Sequence, residues 1–322
     1  MSENYLELNN VKKYFFTPRG PLHAVDGVSF TLEKGRTIGI VGESGCGKST
    51  LGRVVSRLLE ATEGEILFEG ENILDYRGRQ LKLLRRKIQM IFQDPFSSLN
   101  PRKTVFNTVA EPMITQKMFS SKADVENRVF EIMELVGLAN RYINTYPHEL
   151  DGGRRQRVGI ARALALNPEL IVCDEPVSAL DVSIQAQILN LLKRLQKEFG
   201  YTYIFITHDL SVVKHFTQDV LVMYLGQVVE KAPVKELFSN PVHPYTQALL
   251  SAIPLPSIDK PRERMILKGE LTSPINPLDI CRFAERCAYA KAECKENCPP
   301  LVEFSPHHFV RCFPPIEKQK PV

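Results

Sequence analysis

The chain holds 322 residues, 43% hydrophobic and 24% charged, enough for one large α/β core and a smaller appendage. A formal net charge of +4 is too small to mark a nucleic-acid binder; a mixed-charge solvated surface accounts for it. No apolar run approaches the ~18 residues of a membrane-spanning helix. The start, Met1-Ser2-Glu3-Asn4-Tyr5, lacks a basic-then-apolar leader, so the chain is expected to stay in the cytosol.

Taken in chain order, the first elements alternate apolar and polar residues in the manner of half-buried strands. These are Tyr5–Leu8, Ala24–Leu32 and Glu65–Phe68, which predict an antiparallel sheet flanking the core. Other runs are uniformly apolar, as strands buried on both faces of a parallel sheet are. They are Thr37–Val41, Ile88–Phe92, Leu170–Cys173, Tyr203–Ile206 and Val220–Met223, with helical spacing between them, notably over Ile184–Leu195. Alternating strands and helices predict a doubly wound sheet. Between about 95 and 165 the pattern turns helical, as in Val125–Val136, and reads as a helical insert. After Leu250 prolines thicken (Pro254, Pro256, Pro261, Pro274, Pro277) and periodicity fades, which predicts a linker and then a small cysteine-rich module. The expected division is therefore 1–250 for the main domain and 251–322 for the extension.

Gly42-Glu43-Ser44-Gly45-Cys46-Gly47-Lys48-Ser49, followed by Thr50, fits G-x-x-x-x-G-K-S and directly follows the Thr37–Val41 strand. Glycines at this spacing let backbone N–H groups wrap the β- and γ-phosphates of a nucleotide. Lys48 would neutralise phosphate charge and the Ser49 hydroxyl would ligate Mg²⁺. Further on, Leu170-Ile171-Val172-Cys173-Asp174-Glu175 delivers two carboxylates to the end of an apolar strand, where ligands of open α/β sheets bind. Asp174 suits Mg²⁺, usually through water, and Glu175 suits a base that deprotonates an attacking water.

The class of nucleoside triphosphatase is decided by Glu149-Leu150-Asp151-Gly152-Gly153-Arg154-Arg155-Gln156-Arg157, which closely resembles the signature motif of ABC transporter ATPases, usually L-S-G-G-Q. Gln93 closing a strand, Ser178-Ala179-Leu180-Asp181 after Glu175, and His208 ending the Tyr203–Thr207 strand follow in the family's order. The resemblance implies an α/β P-loop nucleoside triphosphatase of RecA-like type: a parallel-sheet core with an antiparallel β subdomain, a helical insert and the cysteine-rich C-terminal module. It implies that Gln93 couples nucleotide state to the membrane partner and joins Ser49 and Asp174 around Mg²⁺. Asp181 would serve the contact between two ATPases, and His208 would reach the γ-phosphate. Phe15, with Tyr14 as neighbouring candidate, would stack on adenine. Asp151, Gly152 and Gly153 would face the nucleotide of the opposite subunit.

Two features refine the resemblance. The signature reads L-D-G-G-R, with Asp151 where the family has Ser and Arg154 where it has Gln. A carboxylate ~5 Å from a phosphate charge costs roughly 3 kcal/mol at an effective dielectric of ~20. Asp is nevertheless a good N-cap, and Arg154 offsets part of the charge. This departure favours a paralogous partner ATPase over an identical copy. Secondly, Asn240-Pro241-Val242-His243-Pro244-Tyr245-Thr246, Phe92-Gln93-Asp94-Pro95, Leu99-Asn100-Pro101-Arg102 and Gly269 to Pro277 resemble the oligopeptide/dipeptide (and nickel) importer ATPases, most of all their F-type subunit. The implied setting is the cytoplasmic face of the cell membrane, with two integral membrane permease subunits and an external substrate-binding protein. The identity of the cargo is left open. The alternative is a soluble ABC-type ATPase not coupled to transport, although the fused cassettes or coiled coils usual in that class are missing.

Seven cysteines are present, five of them between Cys281 and Cys312. In a reducing compartment such clustering reads as metal binding before disulfides. The spacing alone leaves zinc open. The importer resemblance implies a [4Fe–4S] cluster on Cys281, Cys287, Cys294 and Cys312, with Cys298 an extra thiol. Cys46 and Cys173 read as buried small residues.

Overall fold

A computed structural model describes residues 4–253, 265, 267, 269 and 272–313. The expected linker prolines Pro254, Pro256 and Pro261, the Glu270-Leu271 part of the importer-like stretch, and Met1–Glu3 lie outside the described residues. Two compact units emerge: the first from Met1–Leu32, Thr37–Leu74 and Thr207–Val322, the second from Glu33–Arg36 and Asp75–Ile206.

The first unit opens with β1 (Leu6–Thr17) and β2 (Gly20–Leu32), paired antiparallel with Leu8 opposite Phe30. Next come β3 (Thr37–Val41), α1 (Lys48–Val55), β4 (Glu63–Phe68) and the short β5 (Glu71–Asn72). The antiparallel sheet expected from the alternating segments is present, in the order β2-β1-β4-β5. Its apolar alternation buries Leu6, Leu8, Val28, Phe30 and Ile66 on one side.

The second unit contains α2 (Gly78–Lys87), β6 (Ile88–Ile91), α3 (Pro95–Ser98), α4 (Val105–Gln116), α5 (Lys122–Leu135), α6 (Gly152–Leu164), β7 (Leu170–Asp174), α7 (Val182–Phe199) and β8 (Thr202–Ile206). Strands β6, β7 and β8 run parallel, with Met90 opposite Val172 and Val172 opposite Ile204. Every residue of β7 and β8 is buried, which is why their sequences are apolar without alternation. The helices form where sequence caps them. Ser121 accepts from Asp124 N at the start of α5, and Val125, Val129, Ile132 and Met133 then recur on its buried face. Helix α7 starts on Asp181, buries Ile188, Leu191, Leu192 and Leu195, and ends at Gly200 with φ 71°, a left-handed position that glycine takes at little cost.

The chain then returns to the first unit through α8 (Leu210–Phe216), β9 (Asp219–Tyr224), β10 (Gln227–Pro233), α9 (Val234–Ser239), α10 (Pro244–Ser251), α11 (Ala292–Glu296), β11 (Val302–Ser305) and β12 (His308–Val310). Strand β3 pairs parallel with β9, with Ile40 opposite Leu221, and β10 turns back antiparallel to β9. The C-terminal hairpin β11–β12 adds to the free side of β10, with Glu230 opposite Val310. Thus the described part of the extension continues a sheet in the same compact unit as β3. The molecule is α/β, with mixed parallel and antiparallel strands. No helix among the described residues is long and apolar enough to cross a membrane.

Candidate functional site

The sequence-derived site residues divide between the two units, and each group is assembled within its own unit. In the first unit, the loop from Gly42 to Gly47 joins buried β3 to α1. Gly42 and Gly47 have φ 149° and 104°, and a Cβ on either would sit 2.2 Å from Met223 O or 2.0 Å from Ala24 O. Only glycine lets the loop approach those backbones. Ser44 and Gly45 are exposed, whereas Lys48 is 4% exposed. Lys48 Nζ donates to the carbonyls of Gly42 (2.8 Å) and Glu43 (2.9 Å), so the ammonium is bent back over the loop. Helix α1 starts from Gly47 with no side-chain cap and no acidic residue in its first turn. A helix N-terminus of this kind favours an anion.

The other first-unit candidates lie outside this loop. His208 is exposed, between buried Thr207, whose N–H donates to Ile40 O at 3.1 Å, and Asp209, which caps α8. Tyr14 stacks on His23 at 3.8 Å and donates its hydroxyl to Asp26 Oδ1 at 2.5 Å. Burial and that hydrogen bond raise the Tyr14 pKa. Phe15 is half-buried with Lys13 Nζ 5.0 Å over its ring, and the adjacent Phe16 is 88% exposed.

In the second unit, Asp174 ends β7 and is buried at 1% exposure, while Glu175 follows with φ 44°. Glu175 N donates to Ile206 O at 2.9 Å, which fixes the turn. Gln93, just after β6, donates its amide to Glu175 Oε2 at 3.0 Å, so the structure does bring these two candidates together. Asp181 accepts from Ile184 N at 3.0 Å and Ser183 Oγ at 2.7 Å, and these bonds lower its pKa. Asp151 caps α6: its Oδ1 accepts from Arg154 N at 2.8 Å, and its other oxygen pairs with the Arg154 guanidinium. Gly152 and Gly153 lie in the first turn, packed against Leu180 and Ile184.

The family termed ABC transporter matches residues 25–178, and that termed oligopeptide/dipeptide transporter, C-terminal region, matches residues 229–294. The chain is 55% identical over 320 residues to the oligopeptide transport ATP-binding protein AppF of Bacillus subtilis, covering 96% of this chain and 97% of AppF. The chain belongs to the ABC transporter ATP-binding family. The oligopeptide transport ATP-binding protein OppF of Escherichia coli is 50% identical over 96% of this chain and 93% of its own length. Among solved structures, the dimeric ATP-binding cassette MJ0796 in a post-hydrolysis state with ADP and Pi superposes with a TM-score of 0.66 at 33% identity, covering 71% of this chain and 98% of that one. This ABC subunit is therefore an ATP-binding ATPase of the oligopeptide/dipeptide branch.

The cysteines give a different outcome. Cys294 is buried and Cys281, Cys287, Cys298 and Cys312 are partly so. Burial, followed by neighbouring thiols, pushes Cys312 up to about 12; burial pushes Cys281 up to about 11. Cys281 and Cys294 are joined through the backbone, with Cys281 N donating to Cys294 O at 3.1 Å. Cys298 Sγ lies 4.0 Å from the Arg311 guanidinium. Among the described residues, no group of three or more His, Cys, Asp or Glu side chains stands close enough to hold a metal ion.

Sequence reading missed the residues that brace the phosphate loop. Glu43 is held by Arg286 through two bonds of 2.6 and 3.1 Å, and Glu43 N donates to Tyr245 Oη at 2.8 Å. Sequence carries no local signal for partners about 200 residues or more away.

Proposed function

We propose that the ATP hydrolysis of this subunit energises import of peptides, as one of two ATPases seated on the cytoplasmic face of a membrane permease. The reading is carried by one observation: the ABC transporter match and the oligopeptide/dipeptide transporter match lie in tandem on a chain with an intact phosphate loop. Relatives named as oligopeptide and dipeptide transport proteins over nearly the whole length support it. Two integral membrane subunits and an external binding protein complete the assembly. Asp151 in the signature favours a paralogous partner ATPase.

Each unit contributes its own part of the chemistry. In the first, the loop N–H groups and Lys48 take the β- and γ-phosphates, with Lys48 exchanging two carbonyl partners for phosphate oxygens. Phe15, or the neighbouring candidate Tyr14, flanks the adenine, and His208 donates to the γ-phosphate. In the second, Glu175 accepts a proton from the attacking water as the water oxygen bonds to the γ-phosphorus and the bond from that phosphorus to the bridging oxygen breaks, ADP leaving with the electron pair. Within this unit Asp174 and the carbonyl oxygen of Gln93, whose amide donates to Glu175, would hold Mg²⁺, and Ser49 is the first unit's own candidate ligand. When bound, Mg²⁺ supplies positive charge that offsets charge on the phosphates. Gly152, Gly153 and Asp181 serve the nucleotide and contact of the partner ATPase.

Cys281, Cys287, Cys294 and Cys312 are the proposed thiolates for a [4Fe–4S] cluster, with zinc as the alternative occupant. Cys281, Cys287 and Cys294 fall within the match to the oligopeptide/dipeptide transporter C-terminal region, and Cys281 N donates to Cys294 O, which supports the donor set; binding would require the side chains to draw closer together. Iron, sulfide and zinc analysis of anaerobically purified protein distinguishes the two.

The test is reconstitution with the membrane subunits and binding protein in vesicles. Peptide-loaded binding protein is expected to stimulate ATPase and drive uptake. Glu175→Gln is expected to bind ATP while losing roughly 100-fold or more of turnover. ATPase indifferent to every peptide tried overturns the transport reading, and near-normal turnover of Glu175→Gln overturns its role as base.

A further inference from the structure

The segment from Cys281 to Cys287 reaches the phosphate loop at two points. The Arg286 guanidinium grips both carboxylate oxygens of Glu43, the second residue of the loop, at 2.6 and 3.1 Å. The Arg286 side chain is only 9% exposed and that of Glu43 29%. The Arg286 guanidinium also lies over the Tyr224 ring, 5.8 Å from its centroid. Four residues earlier, Arg282 donates to Asp26 and to the carbonyl of Leu225. The next residue, Gly226, donates its N–H to Cys46 O in the loop at 2.9 Å and accepts from Asp26 N at 2.8 Å.

Between the two arginines Phe283 is 2% exposed, with its ring 5.2 Å from Tyr224 and 5.5 Å from Tyr245. Tyr245 in turn accepts from Glu43 N at 2.8 Å. An apolar anchor thus sits between two cationic contacts, and the whole array converges on the loop at Glu43 and Cys46. Bidentate arginine–carboxylate pairs fix orientation as well as charge, which a single ammonium does not.

We propose that Arg286, supported by Arg282, is a positioning residue for ATP: the C-terminal segment straps the phosphate loop and neutralises Glu43 beside the triphosphate. The inference rests on ATP occupying this loop. Glu43 brings a carboxylate into a loop whose task is to attract a polyanion. With Arg286 in place that charge is matched. Without it, a partly buried carboxylate is left unpaired and repels the incoming phosphates, while the loop loses its outer brace.

The test uses the purified full-length chain and mant-ATP titration, with thermal unfolding in parallel. Arg286→Ala is expected to weaken mant-ATP binding by roughly 5- to 50-fold, in the range of one lost charge pairing. Glu43→Gln combined with Arg286→Ala is expected to recover most of that loss, since the repelling charge is then gone. Arg286→Lys should fall between, retaining charge without the fork. In the reconstituted transporter the defect should appear in KM for ATP more than in kcat. Wild type that fails to bind mant-ATP would defeat the nucleotide reading itself. Wild-type binding with unchanged affinity in Arg286→Ala, or a loss that Glu43→Gln does not relieve, overturns the strap.

Discussion

Helices α1 and α6 both have glycine at their start, Gly47 just before the first and Gly152 as the first residue of the second, yet they treat their N-termini in opposite ways. At α1 no side chain caps the first turn, the entry residue Gly47 is held at φ 104°, and no carboxylate lies in the turn. At α6 Asp151 caps the turn through Arg154 N, and Arg154 closes over the carboxylate from outside. A cap satisfies a backbone donor that an anion would otherwise take. The first end leaves its backbone donors open to an anion, as the proposed phosphate role requires. The second is stable without any ligand, and its charge is already matched.

The sharpest way to break this contrast is to add one methyl group at each end. Gly47→Ala places a Cβ 2.0 Å from the Ala24 carbonyl at a left-handed φ, and both obstacles are backbone. It should cost about 3–5 kcal/mol in urea unfolding and abolish mant-ATP binding. Gly152→Ala meets only the flexible tip of Leu180 at 3.2 Å and should change stability by less than about 1 kcal/mol. Equal costs at the two positions would mean that the loop's approach to Ala24 is not what demands glycine.

A third helix start extends the comparison, because its cap titrates. Helix α10 opens on His243, whose Nδ1 accepts from Tyr245 N at 3.1 Å and which is 2% exposed. Burial lowers its pKa to about 4, outweighing the charge of Glu230. The folded protein therefore keeps His243 neutral where the unfolded chain, near 6.5, already takes up a proton. The unfolded state binds more protons between those values, so stability is full above about pH 6.5 and declines as pH falls towards 4. The depression corresponds to about 3 kcal/mol across that window. His243→Asn keeps an acceptor for the cap and removes the titration. Urea midpoints at several pH values should show a shallower acid slope in this variant, whatever its fixed packing cost; identical slopes would refute the assignment.

These three starts also show what could be read before the fold was known. The glycine-rich loop, the Asp174-Glu175 strand end and the buried strands were legible because each is a local pattern: fixed spacing, or apolar residues without alternation. Helices α5 and α7 were legible from 3.6-residue spacing. Strands β10, β11 and β12 were not. Their core contains Glu230 and His308, both fully buried and joined at 2.7 Å, with Glu230 also accepting from the N–H groups of Val242 and His243. In sequence such residues read as a solvated face, and only tertiary partners make their burial tolerable. The same reason hid Arg286 and Arg282: their partners Glu43 and Asp26 lie 243 and 256 residues away.

The smallest effect tests the charge at the second helix start. A bare carboxylate ~5 Å from a phosphate charge would cost roughly 3 kcal/mol at a dielectric of ~20. Arg154, bound to that carboxylate, opposes most of it and leaves a remainder of about 1 kcal/mol, or roughly fivefold in rate. Asp151→Ser preserves an N-cap and removes the charge, so ATPase in the assembled transporter should rise by about that factor. Arg154→Gln should act in the opposite direction, since it uncovers Asp151 while leaving the backbone cap. Steady-state turnover of the two variants in one preparation separates the possibilities. Opposite shifts mean that the capped end faces the partner's nucleotide and that the ion pair tunes it, whereas two unchanged rates mean that this helix start meets no phosphate during turnover.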